Sequence, residues 1–311
     1  MASSVIVELK DTNVSRISKK LITLREQGGA VALGRVLTLV IQTDHQGLEA
    51  AIQAANEASR EHPCRIVVLA EPVDSQKSAA KLDAEIRVGG DAGASEVIVL
   101  KAWGEAASDP EMLVTGLLLP DAPVVAWWPS KAPSKLSGSP VGRIATRRIT
   151  DSAEQEDPQG FLRSLAKDYA PGDTDFAWTR LTLWRGQLAA LLDQPPFGAV
   201  TGVEVFGTPD SPSTDLLAAW LEMKLKVDVK ILRGPEGNPF PGINGVKLFR
   251  DSGNIEIARR IPDVATLIQP TQPIREITLA RRNNRDCLSE DLRRLDPDEL
   301  FGEVLKWFAR S

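Results

Sequence analysis

Arg35-Val-Leu-Thr-Leu-Val-Ile41, the Ala-rich stretch 46–60 and Cys64-Arg-Ile-Val-Val-Leu69 decide the fold of this chain. The outer two segments are nearly unbroken in apolarity, as strands buried on both faces are. The middle segment reads as a helix that stops at His62-Pro63. Strand, helix, strand in that order makes a parallel pair with a right-handed crossover, because a tight turn cannot join parallel neighbours.

Working outward, Val5–Leu9 reads as a short strand, and Asp11-Thr12-Asn13 as the cap of a helix bearing Val14, Ile17, Leu21 and Leu24. Gly28-Gly29 is the expected stop of that helix. Further strands are expected at Ala84–Val88, Ser95–Trp103 and Asp121-Ala-Pro-Val-Val-Ala-Trp-Trp-Pro129, with a helix at Pro110–Leu118. Pro129–Pro140 is rich in Pro, Ser and Gly and reads as a low-order loop. It is the best compositional boundary and divides the chain into 1–135 and 136–311. The second part reads as a strand over Val141–Ser152, helices over 157–168 and 175–192, and a strand over Val200–Phe206. A helix over 213–224, a strand over Lys226–Arg233, a hairpin around Asp251-Ser-Gly-Asn254 and helices over 286–294 and 298–309 complete it. The expected architecture is two α/β domains. The N-terminal one has a mostly parallel sheet with flanking helices, and the C-terminal one a mixed sheet with helices.

The composition excludes several function classes. Of 311 residues, 42% are hydrophobic, and the net charge of −5 disfavours nonspecific nucleic-acid binding. Two cysteines, Cys64 and Cys287, stand far apart without a CxxC pair, which argues against a structural zinc site. Few cysteines and no signal-peptide pattern point to the cytoplasm. Apolar runs such as Val36–Ile41 are too short to cross a bilayer. GxGxxG, GxxxxGK[ST] and GxSxG are absent, and Gly89-Gly-Asp-Ala-Gly93 reads as a plain loop. The only histidines, His45 and His62, read as helix-end residues, so no catalytic residue, metal or cofactor is implied.

Three features point to recognition. Trp127 and Trp128 are adjacent in a strand, so their indoles face opposite ways and one of them could meet a partner. In Arg143-Ile-Ala-Thr-Arg-Arg-Ile-Thr-Asp-Ser152, alternation sends Arg147 and Arg148 to opposite faces. They could bind a carboxylate or phosphate, or form internal ion pairs with Asp151 or Asp121. In the helix over 175–192, Trp178, Leu181, Trp184, Leu188 and Leu191 make one apolar stripe bordered by Arg180 and Arg185. These arginines could hold an anion, or cover the stripe with their stems. The mixed-charge run with Arg281, Arg282 and Arg285 reads as a solvated face or a protein contact.

Together these elements resemble the OpcA family, the glucose-6-phosphate dehydrogenase assembly proteins, in its actinobacterial form. The matching stretches are Gly28-Gly-Ala-Val-Ala-Leu-Gly-Arg-Val-Leu-Thr-Leu39, His62-Pro-Cys-Arg65, Asp121–Pro129, Arg147–Ser152, Trp178–Arg185 and Leu288–Glu303. The resemblance implies a non-catalytic assembly factor and allosteric activator of glucose-6-phosphate dehydrogenase in the oxidative pentose phosphate pathway. Trp127, Trp128, Arg281, Arg282 and Arg285 would contact that enzyme. The alternative is a sugar-phosphate- or nucleotide-binding protein or enzyme with Arg147, Arg148, Arg180 and Arg185 around a small anionic metabolite. A third reading, a redox sensor, would use Cys64 and Cys287, which a disulfide could join only within about 7 Å.

Overall fold

The structure, a computed structural model, describes residues 5–27, 34–72, 79–88, 96–234 and 241–310. The expected Gly28-Gly29 helix stop and the Gly89–Gly93 loop lie outside them. The chain opens with β1 (Val5–Leu9), α1 (Val14–Gln27), β2 (Leu37–Asp44), α2 (Leu48–Ala58), β3 (Cys64–Glu71), β4 (Lys81–Val88) and β5 (Glu96–Trp103). There follow α3 (Pro110–Thr115), β6 (Val124–Trp128), α4 (Pro140–Ile144), β7 (Arg147–Thr150), α5 (Pro158–Asp168), β8 (Asp173–Asp175), α6 (Phe176–Thr179) and α7 (Thr182–Leu192). The rest is β9 (Val200–Gly207), α8 (Pro212–Leu225), β10 (Val229–Arg233), β11 (Ile243–Arg250), β12 (Ile255–Ile261), β13 (Val264–Ile268), β14 (Arg275–Thr278), α9 (Asn284–Arg293) and α10 (Glu299–Phe308).

Two compact units result. One comprises residues 1–151, 172–174 and 284–297, and the other 152–171, 175–283 and 298–311. Residues 136–151 therefore belong to the first unit, beyond the boundary that composition suggests, and a C-terminal helix returns to it.

The first unit holds a sheet in the order β1-β4-β5-β3-β2-β6-β7-β8. β5, β3, β2, β6 and β7 run parallel, while β4 and β1 pair antiparallel at one edge. Counting from β2, the order β5-β3-β2-β6-β7-β8 is the doubly wound 3-2-1-4-5-6 arrangement. Leu37, Leu39, Val40 and Ile41 of β2 and Ile66, Val67 and Val68 of β3 are fully buried, as their unbroken apolarity requires. Each such side chain contributes about 1.5–3 kcal/mol of burial. Helix α9 packs on α2 and buries Cys287, Leu288 and Leu292, leaving Arg285, Arg293 and Arg294 outward.

Two local readings change here. The expected strand over Val141–Ser152 is the short helix α4 followed by β7. Ser139 caps α4 by accepting from Gly142 N–H at 3.1 Å, and Pro140 starts it, a position where the missing N–H costs nothing. The segment before it is not low in order: it forms a 3₁₀ turn over Leu136–Gly138, and Leu136 is buried.

The second unit holds the sheet β10-β9-β11-β12-β13-β14, mixed because β10 and β9 are parallel and the rest antiparallel. One face is buried through Val203, Val205, Val246, Leu248, Ile255, Ile257, Ala265 and Leu267. On the other face Lys247 stands opposite Glu204 and Glu256, the charge pairing that suits a half-solvated sheet. Helix α8 starts at a Ser211 cap and ends at Lys226 in the left-handed conformation (φ 57°). It packs on α10, where the Trp307 indole donates to Glu222 at 2.8 Å. The helix expected over 175–192 is broken into α6 and α7, yet Trp178, Leu181, Trp184, Leu188 and Leu191 are all buried.

Candidate functional site

In doubly wound sheets, ligands bind beyond the carboxyl ends of the strands, where the strand order reverses. That point lies between β2 and β6. Here the last residue of β6 reaches β2: the Trp128 indole donates to Gln42 Oε1 at 2.8 Å. Helix α2 begins just after β2, and a helix N-terminus is where a phosphate would be received. The Asp44 carboxylate already accepts there, from Gly47 N–H at 2.8 Å. A Cβ on Gly47 would lie 2.6 Å from Thr43 Oγ1, so the turn is closed tightly. A cavity of about 520 Å³ opens at these strand ends, lined by Gln42, Thr43 and Asp44 of β2, by Glu71 of β3 and by Lys131 beyond β6. The head of α2 beside the reversal point thus carries a carboxylate where a dinucleotide would need a phosphate cradle.

Trp127 and Trp128 are 0% and 2% exposed. Neither forms an exposed surface, which corrects their placement in a partner interface. Arg281 and Arg285 are exposed, and Arg282 is half-buried with a hydrogen bond to Thr179 O at 3.0 Å. His45 is exposed, and His62 lies at the end of α2. Cys64 and Cys287 are both buried, and no disulfide joins them. Among the described residues, no group of three His, Cys, Asp or Glu side chains could hold a metal ion, and no helix is long and apolar enough to cross a membrane.

Arg147 and Arg148 are buried and bound to carboxylates of their own unit. Arg147 donates to Asp291 at 2.5 Å and to Asp296 O at 3.0 Å. Arg148 pairs with Asp173 and donates to Ala145 O at 2.9 Å. Both therefore form internal ion pairs, Arg147 with Asp291 and Arg148 with Asp173. Arg185 lies over Trp178, 3.8 Å from the ring centroid, and Arg180 lies 5.8 Å from Phe176. Arg180 also donates to Arg282 O at 3.3 Å. Arg185 thus covers a tryptophan of the stripe with a cation–π contribution, while Arg180 lies over Phe176 outside it.

Two arginine clusters escaped the sequence reading. Glu96, fully buried at the start of β5, accepts from Arg25 at 2.7 Å through both oxygens and from Arg65 at 3.0 Å, with Arg35 at 3.4 Å. Its signal is a lone acid heading an apolar strand. In the second unit Arg180, Arg259 and Arg281 line a cavity of about 20 Å³ beside Gly242. Here the signal is strand alternation, which puts Arg259 on the inward face with Ile255 and Ile257.

Two family models match the chain in succession. Residues 55–167 match the glucose-6-phosphate dehydrogenase subunit N-terminal domain, and residues 171–305 match its C-terminal domain. The chain belongs to the OpcA family. Both models are those of the glucose-6-phosphate dehydrogenase assembly proteins, so the resemblance read from the sequence holds across both units. No curated protein matches the chain. Among solved structures, an oxidoreductase from Sinorhizobium meliloti is 10% identical, with a TM-score of 0.49 over 88% of this chain and 95% of that one. A 3-ketoreductase from Actinomadura kijaniata is also 10% identical, with a TM-score of 0.48 over the same shares. Biliverdin reductase from Synechocystis is 11% identical, with a TM-score of 0.44 over 88% and 97%.

Proposed function

We propose that this chain is a non-catalytic assembly factor and allosteric activator of glucose-6-phosphate dehydrogenase, working in the cytoplasm at the entry to the oxidative pentose phosphate pathway. The observation that carries this reading is the succession of the two OpcA family matches along the chain. The head of α2 in the first unit supports it. Asp44 accepts from Gly47 N–H at the head of α2, where a nucleotide-binding sheet of this order would receive a phosphate. The exposed Arg285 on α9 supplies a charged contact for the dehydrogenase. Activation then requires that the chain bind the active form of the enzyme more tightly than the inactive one, and a tenfold preference corresponds to about 1.4 kcal/mol.

Mixing the purified proteins tests the reading. Co-elution and a rise in dehydrogenase activity are expected. In Arg285→Glu, the affinity is expected to fall about tenfold through loss of an exposed charge contact, while the variant's own unfolding midpoint stays unchanged. Proteins that elute apart, with dehydrogenase kinetics unaltered, would refute the assignment.

A further inference from the structure

We infer that Arg259, with Arg281 and Arg180 beside it, forms a binding site for a phosphate group in the second unit. Arg259 is 5% exposed, and its guanidinium has one hydrogen bond, to Pro241 O at 3.1 Å. Its Nε is buried without an acceptor. No carboxylate lies within ion-pair distance of it among the described residues. A buried charge in that state is costly unless something pairs with it. Nearby charges make the need greater. Burial holds the guanidinium below its ordinary pKa, the Arg281 charge pushes the same way, and the more distant Asp263 only partly opposes them.

The geometry brings two guanidinium groups to one point. A Cβ placed on Gly242 would lie 3.8 Å from Arg281 Nε and 3.9 Å from Arg259 Nη2. Gly242 takes a positive φ of 91°, so a side chain is disfavoured at the spot where the two converge. The cavity of about 20 Å³ there has room for one oxygen-sized group. An oxyanion would place an oxygen against Arg259 and leave its remainder toward the exposed Arg281. Phosphate fits better than carboxylate because its several oxygens let one meet Arg259 in the cavity while another faces Arg281. Arginine's fork of donors also matches its oxygens.

The test is thermal unfolding of the purified protein alone, with the dehydrogenase absent, so that its failure is separate from failure of the assembly role. Inorganic phosphate is expected to raise the midpoint in a saturating manner, beyond sodium chloride or sodium acetate at equal ionic strength. The rise is expected to vanish in Arg259→Met and to weaken in Arg281→Ala, an exposed position where misfolding is not a concern. A hexose monophosphate acting at lower concentration than inorganic phosphate would identify the ligand as an ester. Equal or weaker action would identify it as the free ion. A rise no larger than with chloride, or one that persists undiminished in both variants, would overturn the site.

Discussion

Glu96 in the first unit is a buried carboxylate with three guanidinium groups around it, and Arg259 in the second is a buried guanidinium with one carbonyl as its partner. Both are charges taken out of water, but their surroundings differ. Arg25 and Arg65 fill both oxygens of Glu96, so its charge is fully answered within the fold. Arg35, Arg147 and Arg259 each keep a buried Nε with no acceptor, but Arg35 and Arg147 have a carboxylate beside them and Arg259 has none within ion-pair distance among the described residues. A residue of the first kind holds a structure together. A residue of the second kind marks where something from outside the chain is wanted. Arg147 and Arg148 fall in the first class, each with its own aspartate, and this is why the expected anion site moves from them to Arg259.

The largest effect is expected at Glu96. Glu96→Gln leaves the arginines in place and removes the charge they share, and losing one member of a buried ion cluster costs about 3–5 kcal/mol. Urea unfolding at neutral pH measures it. A loss below about 1 kcal/mol, the range of an exposed pair, would break the comparison from this side.

Arg259→Met is expected to act in the opposite direction. Without phosphate, replacing an uncompensated buried ion by an apolar side chain of similar length should leave stability unchanged or raise it by about 1–2 kcal/mol. The same urea series reads it. Destabilisation by more than about 1 kcal/mol would place Arg259 with Glu96 as a structural ion.

How far the sequence foretold these sites depends on the range of the interactions. The β2–α2–β3 unit was legible because its signal is local: two apolar runs, a helix and a stop at His62-Pro63. The helix α4 was locally legible too, since Ser139-Pro140 is a capping signal, but the alternation of Arg143 to Thr150 imitates a strand and prevailed. The partners of Arg147 and Arg148 were not legible. Asp291 is 144 residues from Arg147, and no spacing rule reaches that far. The same holds for the return of 284–297 to the first unit. Tryptophan composition also misled. Adjacent indoles in a strand do face opposite ways, but a strand covered on both sides buries both, as β6 does.

The smallest expected effect lies in the ion pair of Glu49 and Arg87, which sharpens the comparison as its solvated limit. Arg87 donates to both oxygens of Glu49, at 2.6 and 2.8 Å, while the Glu49 side chain stays 70% exposed. The hydrogen bond from Arg87 holds the Glu49 carboxyl below its ordinary value against a partial opposing effect of burial. Arginine stays charged throughout, so only Glu49 titrates in an accessible range. A lowered folded-state pKa contributes stability above the unfolded value of about 4.3, and that stability is lost as pH falls through the folded value. Glu49→Gln should therefore cost no more than about 1 kcal/mol at pH 7, and the difference from wild type should close on acidification below about pH 4. Urea midpoints at pH 7, 5 and 3.5 measure it. A difference that grows as the pH falls would mean that the pair is not what holds Glu49 charged. Exposure would then not separate this bidentate pair from the buried cluster at Glu96.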